Sequence, residues 1–254
     1  MSRKMIVAGN WKMNLSLREA VELASAVAAA GVPAGVEVAV FPTFPWLVPV
    51  HEALGDSDVQ LGAQDSYIEP AGAFTGEVSP VALAELCSAV LAGHSERRHV
   101  IGESDELVGK KVEAIQQAGM TAYLCVGETL EERQAGRAQE VVERQLASGL
   151  AGVDAGMLHL LVVAYEPVWA IGTGVAASAE DAQEMCAAVR QWLAARYGEP
   201  GGQVRVLYGG SVSPANVEEL FACPDVDGGL VGGASLDAGS FGTLVEAAGR
   251  LAAV

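Results

Sequence analysis

The sequence predicts a closed eight-stranded parallel (β/α)₈ barrel, an α/β fold, on three observations. The chain has 254 residues, the usual length of one such barrel. Short apolar runs alternate along it with segments of helical spacing, which predicts a parallel sheet. The apolar runs are nearly continuous, as in strands that are covered on both faces. Since no linker or composition shift divides the chain, we expect residues 1–254 to form a single domain.

The predicted strands are eight apolar runs, each followed by a polar or glycine-rich stretch. They are Met5–Asn10, Val36–Phe41, Val59–Gln64, Ala89–Gly93, Thr121–Val126, Leu158–Tyr165, Val204–Gly209 and Val226–Gly232. Eight strand–helix units in a chain of this length favour a closed barrel over an open doubly wound sheet.

The segments between the strands carry helical spacing and helix start signals. In the first segment, one face is expected to hold Leu17, Ala20, Val21, Ala24, Val27 and Ala28. Ser79-Pro80 and Ser213-Pro214 mark helix starts, because an N-cap serine precedes a proline at the first helical position. Ser178 and Asp181 have the spacing of a capping box.

The composition argues against several classes of protein. A formal charge of −17 disfavours nucleic-acid binding, which needs basic surface, and its simplest role is solubility. The cysteines are too far apart for a C-x-x-C pair, so we expect neither a metal site nor a disulfide framework. The apolar run after Arg3 and Lys4 is too short for a signal peptide or a membrane span. We therefore expect a reduced, cytoplasmic protein that does not bind membranes.

Unusual residues recur just after the predicted strand ends, where barrel enzymes place their catalytic groups. In strand order they are Asn10 and Lys12, Gln64, His94, Glu128, Glu166, Ser211, and Gly232-Gly233. Chance could place one or two polar residues in this way, but it is a poor account of the whole set.

Glu166 is the candidate base. A lone glutamate in a loop is more often solvated, but Pro167 stiffens the next backbone step. The tip that follows, Ala170–Gly174, is expected to act as a closable lid. Closure would dry the carboxylate and raise its pKa from about 4.3, which makes a better base at neutral pH.

His94 and Lys12 are candidate partners of that base. A lone histidine is usually structural or exposed, but Ser95 could cap a short helix whose positive end would depress the pKa of His94. The neutral imidazole would then donate an N–H to a carbonyl oxygen. Lys12 could supply a fixed cation for a phosphoanion and a developing enediolate, held by an ion pair with Glu96, although most lysines are simply solvated.

A phosphate site is predicted from glycines that follow the last two strands. Gly209-Gly210-Ser211 and Gly232-Gly233 lie where barrel enzymes often bind phosphate through backbone N–H groups. Residues 234–236 could add a further helical turn. The pattern is not a Walker A loop for a nucleotide. Trp169 is interpreted as an anchor against the barrel and Cys125 as a core residue.

At these motifs the sequence resembles the triosephosphate isomerase family, over the whole chain. The resemblance is carried by segments 10–14 (Asn-Trp-Lys-Met-Asn), 72–79 (Gly-Ala-Phe-Thr-Gly-Glu-Val-Ser), 93–98 (Gly-His-Ser-Glu-Arg-Arg), 125–128 (Cys-Val-Gly-Glu), 165–174 (Tyr-Glu-Pro-Val-Trp-Ala-Ile-Gly-Thr-Gly), 208–212 (Tyr-Gly-Gly-Ser-Val) and 230–235 (Leu-Val-Gly-Gly-Ala-Ser). It implies a TIM barrel that interconverts dihydroxyacetone phosphate and glyceraldehyde 3-phosphate through an enediolate, without a cofactor or a metal.

The resemblance also implies roles for single residues. Glu166 would be the base, with a neutral His94 as electrophile (a pair that general accounts of catalysis describe for this family). Lys12 and Asn10 would bind substrate and stabilise the oxyanion. The phosphate would be held by Gly172, Ser211, Gly232 and Gly233.

Further implied contacts concern the lid and a second subunit. Tyr208 and Ser211 would latch the closed lid, and Trp169 would move with it near Glu128. The segment Asp65–Ser79 would be a homodimer loop, with Thr75 reaching the neighbour's active site. Two departures stand out: Val175 replaces a usual lysine or arginine at the end of the lid, and Gly229 replaces a larger apolar residue.

Other phosphate-binding barrels remain alternatives. An aldolase would need a Schiff-base lysine, and the predicted strands from the second onward contain none. A metal-dependent sugar-phosphate epimerase would need histidine and acidic ligands at strand ends, but His51, His99 and His159 have no such setting. A non-catalytic binding module would be expected to lack one of Lys12, His94 and Glu166, and all three are present.

Overall fold

The structure, a computed structural model, describes residues 3–171 and 177–253. Its strands form one closed parallel barrel in which each strand pairs with the next along the chain and the last pairs with the first. They are Met5–Asn10 (β1), Val36–Phe41 (β2), Gln60–Ala63 (β3), Ala89–Ala92 (β4), Thr121–Val126 (β5), Leu161–Tyr165 (β6), Arg205–Tyr208 (β7) and Gly228–Val231 (β8). The predicted fold class is confirmed.

Helices follow the strands and cover the outside of the barrel. Within the described residues the α-helices are Leu17–Ala30 (α1), Leu47–Leu54 (α2), Pro80–Leu83 (α3), Asp105–Gln117 (α4), Leu130–Gln134 (α5), Ala138–Gly149 (α6), Ala179–Tyr197 (α7), Glu199–Gly202 (α8), Val217–Phe221 (α9) and Ala238–Ala252 (α10). Short 3₁₀ helices occupy Phe44–Trp46, Ala155–Leu160, Val168–Ala170 and Gly233–Leu236, and a π-helical turn occupies Arg97–Ile101.

Two of the three predicted helix starts are confirmed. The side chain of Ser79 accepts hydrogen bonds from the first free backbone N–H groups of α3. Ser178 and Asp181 form a reciprocal capping box at the start of α7. The start predicted at Ser213-Pro214 was wrong, since α9 begins only at Val217. The side chain of Asn216 instead accepts the backbone N–H of Ser213 at 2.8 Å, which closes a turn before the helix.

The buried face of α1 differs from the predicted face at its first turn. Ala20, Ala24 and Val27 are buried as predicted, together with Leu23, whereas Leu17 is exposed. Leu17 is the first helical residue, and side chains of a helix lean toward its N-terminus. Its side chain therefore extends beyond the edge of the barrel.

The predicted sixth strand began three residues too early. Leu158 to Leu160 belong to a 3₁₀ helix, whose carbonyls at Met157 and Leu160 accept hydrogen bonds from the side-chain amide of Gln116. This side chain of α4 ties down the turn before β6. Strand four is one residue shorter than predicted at its end, and strands three, seven and eight are each one or two residues shorter at both ends.

Apolar side chains fill the interior of the barrel. The inner cluster takes alternate residues of the strands: Ile6, Ala8, Ala39, Phe41, Ala89, Leu91, Tyr123, Cys125, Val162, Ala164, Leu207 and Leu230. The rings of Phe41 and Tyr123 meet edge to face with centroids 5.2 Å apart. Gly62 makes room for Phe41, because a Cβ at position 62 would lie 2.2 Å from that ring. The barrel is thus a packed core with its functional space outside the strand ends.

The glycine at position 229, a departure noted in the sequence, has a packing partner. A Cβ on Gly229 would lie 3.2 Å from the ring of Phe221, which comes from α9. The ring therefore fills the space that a larger side chain on β8 would occupy.

Candidate active site

A cavity of about 450 Å³ opens at the C-terminal ends of the strands. Among the residues that line it are Asn10, Lys12, His94, Glu166, Ser211, Gly232 and Gly233. The structure therefore brings together all the predicted site residues except Gly172, which lies outside the described residues. Gln64 lines a neighbouring cavity that shares Lys12 and His94 with the first.

Lys12 is held in an unusual backbone conformation. Its φ of 51° is in the left-handed region, which costs a non-glycine residue roughly 1–2 kcal/mol. Three contacts stabilise it. Asn10 accepts the backbone N–H of Lys12 at 3.0 Å, and Gln64 donates to its carbonyl at 2.8 Å. The ammonium group pairs with Glu96 at 2.5 Å, so the predicted ion pair is confirmed.

His94 and Glu166 are in direct contact. The Nε2 atom of His94 lies 3.0 Å from Oε1 of Glu166, and the backbone N–H of Ser95 donates to Oε2 at 2.8 Å. Only 2% of Glu166 and 6% of His94 are exposed. Glu166 is therefore not a solvated loop residue.

The contact shifts the pKa of both groups in the direction opposite to that predicted. Burial alone raises the pKa of Glu166, but His94, the N–H of Ser95 and Lys12 outweigh it and hold this pKa below its ordinary value. Burial alone lowers the pKa of His94, but Glu166 outweighs it and this pKa lies above its ordinary value. The sequence-based prediction treated each group alone, whereas the two share one electrostatic field.

The environment of Nδ1 favours the Nε2–H tautomer of His94. The backbone N–H of Glu96 donates to Nδ1 at 3.2 Å, so that atom presents a lone pair and the neutral ring carries its proton on Nε2. If Glu166 moves away, the chief cause of the raised pKa is removed. Burial and the charge of Lys12, which both lower the pKa of His94, then favour the neutral imidazole.

Ser95 does not cap a helix with its side chain, as the sequence suggested. His94 precedes the helical turn, and its carbonyl accepts the N–H groups of Arg97 and Arg98. Ser95 is the first helical residue, and its free backbone N–H is the one that binds Glu166.

The predicted phosphate-binding residues Ser211, Gly232 and Gly233 line the same cavity. The 3₁₀ helix Gly233–Leu236 confirms the extra turn after β8. Ser235 folds back onto Gly232, donating its N–H and its hydroxyl to that carbonyl at 2.9 and 2.7 Å. Gly232, Gly233 and Ala234 at the start of this helix line the cavity, and a Cβ on Gly232 would lie 3.5 Å from Cε of Lys12.

Trp169 lies against Glu128, as expected. Its indole N–H donates to Oε1 of Glu128 at 2.8 Å, and the hydroxyl of Tyr165 donates to both oxygens of that carboxylate at 3.1 Å. The hydroxyl of Ser211 donates to the carbonyl of Ala170 at 3.0 Å. The hydroxyl of Tyr208 is buried without a hydrogen-bond partner within the described part of the chain. The tip of the expected lid, with Val175, lies outside the described residues.

Sequence reasoning missed two arginines that organise the site. Arg98 donates to the carbonyl of Gly93 at 2.7 Å and to that of Cys125 at 3.0 Å, which joins the ends of β4 and β5. Arg133 contacts Glu128 and stacks on Trp169. The signal for Arg98 was its place in the motif that begins at Gly93, whereas Arg133 lies outside every recognised motif.

Within residues 3–171 and 177–253, no group of three or more histidine, cysteine, aspartate or glutamate side chains is placed to hold a metal ion. In the same ranges, every helix is too short or too polar to cross a bilayer.

The fold and the site define the class of protein. A (β/α)₈ barrel with a carboxylate, an imidazole and an ammonium group in one cavity at its C-terminal end has the architecture of a barrel enzyme. A family model for triosephosphate isomerase matches residues 5–248.

Whole-chain relatives give the same assignment. The chain is 50% identical over 250 residues to the triosephosphate isomerases of Pseudomonas putida strain W619 and Pseudomonas entomophila strain L48, covering 98% of this chain and 100% of each of those proteins. It is 51% identical over 249 residues to that of Pseudomonas aeruginosa strain LESB58, covering 97% of this chain and 99% of that protein. The chain belongs to the triosephosphate isomerase family.

Proposed function

We propose that the chain interconverts dihydroxyacetone phosphate and D-glyceraldehyde 3-phosphate by proton transfer through an enediolate. The observation that carries this proposal is the contact between the buried side chains of Glu166 and His94, beside Lys12 in one cavity. A proton next to a carbonyl needs a base to remove it and donors to stabilise the oxyanion that forms. Glu166 supplies the base, His94 supplies a hydrogen-bond donor, and Lys12 supplies a fixed positive charge.

The proposed reaction begins at C1 of the ketone. Glu166 takes a proton from C1 while Nε2–H of His94 donates to the carbonyl oxygen on C2. The ammonium of Lys12, with Asn10 beside it, stabilises the negative charge of the enediolate. A proton then passes between the two enediolate oxygens, and Glu166 returns its proton to C2. The product is an aldehyde at C1, and Glu166 is again a carboxylate.

Glu166 must exchange its partners before it can act. Its carboxylate accepts the backbone N–H of Ser95 and contacts Nε2 of His94. A substrate carbonyl that takes the N–H of His94 removes one of these contacts and frees the carboxylate to turn toward carbon. The low pKa of Glu166 keeps it ionised until then.

The phosphate group is proposed to bind at Ser211, Gly232 and Gly233. The N–H groups at the start of a helix bind anions through free hydrogen-bond donors and the helix dipole. A local site of this kind accommodates a small phosphate ester in a chain whose net charge is −17.

A second copy of the chain is the proposed partner. A cavity of about 610 Å³ adjoins the active site and is lined by Lys12, His94 and the apolar side chains of Met13, Val100 and Ile101. Those three apolar side chains are 93%, 78% and 64% exposed, which is unusual for large hydrophobic residues grouped together. We propose that the segment 65–79 of a partner, with Thr75 at its tip, covers this cavity in a homodimer.

The alternatives are separated by one assay. Isomerisation of glyceraldehyde 3-phosphate is coupled to a dehydrogenase that consumes the ketone, with and without a chelator. Turnover that is unaffected by the chelator supports the proposal, whereas loss of turnover on chelation would show that the reaction depends on a metal ion. Binding of inorganic phosphate without any turnover would indicate a non-catalytic module.

We also propose a cytoplasmic location, in keeping with four free cysteines, of which three are buried.

A further inference from the structure

The segment that carries Glu166 is held on both sides by one residue, Glu128. The hydroxyl of Tyr165, just before Glu166, donates to both oxygens of the Glu128 carboxylate at 3.1 Å. Just after Glu166, the backbone N–H of Val168 donates to the carbonyl of Glu128 at 3.1 Å, and the indole of Trp169 donates to its carboxylate at 2.8 Å. Glu128 therefore holds the residues on both sides of Glu166.

Glu128 itself needs a cation. Its side chain is completely buried, and a buried carboxylate is strongly destabilised unless it is paired and hydrogen-bonded. Arg133 supplies the charge, with Nη1 at 3.3 Å from Oε1 of Glu128. The same guanidinium lies over the ring of Trp169, 4.9 Å from its centroid, where a cation is attracted by the face of the indole.

The other end of the guanidinium is bound to α7. Nη2 of Arg133 pairs with Oδ1 of Asp181, and Oδ2 of Asp181 accepts the backbone N–H of Ser178 in the capping box. Asp181 is therefore oriented by the helix start itself. Helix α7 packs against the barrel through buried side chains such as Val189 and Leu193, so it offers a fixed support.

We propose that Arg133 is a positioning residue for the isomerisation, which joins Glu128 and Trp169 to α7 and so places the carboxylate of Glu166. This inference rests on the proposed function. Arg133 is not among the residues that line the active-site cavity, so it acts through its neighbours. Gly232 and Gly233, which are proposed to bind phosphate, follow β8, two strands away from β6, and Glu166 follows β6. Loss of Arg133 should therefore lower kcat and leave KM nearly unchanged.

The test compares Arg133→Met with Arg144→Met in the full-length enzyme. Arg144 pairs with Asp105 at 3.1 Å on the surface and serves as the matched control, with kcat expected at the wild-type value. For Arg133→Met, kcat per folded protein should fall on the order of 10-fold to 100-fold, the effect of a small misplacement of a catalytic group. KM for glyceraldehyde 3-phosphate should stay within about twofold, because ground-state binding is retained.

Two rescue measurements separate positioning from simple loss of stability. Added guanidinium ion should restore part of kcat to Arg133→Met, and Arg133→Lys should retain more activity than Arg133→Met, because either restores a cation beside Glu128. In a double-mutant cycle, Asp181→Asn should lower kcat in the wild type and have little further effect in Arg133→Met.

The outcomes are distinguishable from those that test the proposed function. A wild-type enzyme without isomerase activity refutes the proposed function. An active wild type together with an Arg133→Met variant whose kcat matches that of Arg144→Met refutes the positioning role. A fall in kcat that neither guanidinium nor lysine reverses, with additive effects of Asp181→Asn, also refutes it.

Discussion

The ammonium group of Lys111 lies 2.6 Å from the carboxylate of Asp65, and both side chains are almost completely buried. Lys111 also contacts Glu103 at 2.5 Å, and Arg97 lies 2.9 Å from Asp65 and 2.6 Å from Glu103. The four groups close a ring whose formal charges sum to zero. Since Asp65 begins the segment 65–79, the ring attaches the base of the proposed dimer loop to α4.

We predict that Asp65→Asn becomes more favourable relative to wild type as pH rises. Burial raises the pKa of Asp65 above its ordinary value, although Lys111 and Arg97 oppose it. The folded protein then binds this proton more tightly than the unfolded chain, so the stability that the proton contributes is present below the unfolded pKa and is lost as pH rises through the folded pKa. Urea denaturation between about pH 3.5 and 7.5, at fixed protomer concentration, measures the difference in unfolding free energy. A difference that shrinks with rising pH would contradict the prediction.

Glu166→Asp should lower kcat far more than it raises KM. The shorter side chain withdraws the carboxylate by one methylene, and a displacement of about 1 Å can reduce a rate on the order of 100-fold. Substrate binding depends mainly on other residues, so KM should change little. Steady-state kinetics in both reaction directions provide the measurement. Near-normal turnover would exclude Glu166 as the base.

Lys12→Met should nearly abolish activity. Loss of one preorganised oxyanion donor costs about 10²–10³ in rate, and here a charge that binds substrate is lost as well. Lys110→Met is the matched control, since Lys110 is exposed on α4 and the same charge is removed from the protein. We expect the control to keep wild-type kcat/KM. Comparable kcat/KM in the two variants would refute the role of Lys12.

The fold was predictable because each strand is recognisable from its own run of apolar residues. β1, β2 and β5 have the predicted bounds, since their apolar runs begin and end at the same residues as the strands. The start of β6 was missed because Gln116, more than 40 residues away along the chain, holds residues 157–160 in a turn. The start of α9 was missed because the side chain of Asn216 competes with the helix for backbone donors.

The site was predictable in position but not in electrostatics. Parallel strands of a barrel end on one face, so Lys12, His94 and Glu166 could be placed together from their order alone. Their mutual contacts could not, because a distance of 3.0 Å between side chains 72 residues apart depends on packing throughout the barrel. The directions of both pKa shifts follow from that distance. The contacts of Arg133 could not be predicted for the same reason, because its partner Asp181 lies 48 residues further along the chain.

The acid limb of kcat/KM should follow the proton of His94. Burial lowers the pKa of His94, but Glu166 outweighs it and holds this pKa above its ordinary value of 6.5. The pair must lose that proton to give the ionised Glu166 and neutral His94 that the reaction needs, so activity is retained above the raised pKa and lost below it. The profile must be corrected for the substrate phosphate, whose second pKa is about 6. A corrected acid limb well below the ordinary pKa of His94 would show that Glu166 does not hold a proton on His94 before substrate binds.

Ile101→Asp should convert the proposed dimer into a monomer. Ile101 is 64% exposed beside Met13 and Val100, so a second copy would bury all three, and a charge placed there would have to be desolvated without a partner. Leu251→Asp is the control, because Leu251 is also exposed but lies near the end of α10, away from this patch. Sedimentation equilibrium at micromolar protomer should give twice the chain mass of 26.1 kDa for the wild type and the control. It should give a single chain mass for Ile101→Asp. A monomeric wild type, or an Ile101→Asp variant that still sediments as a dimer, would show that this patch does not bind a second copy.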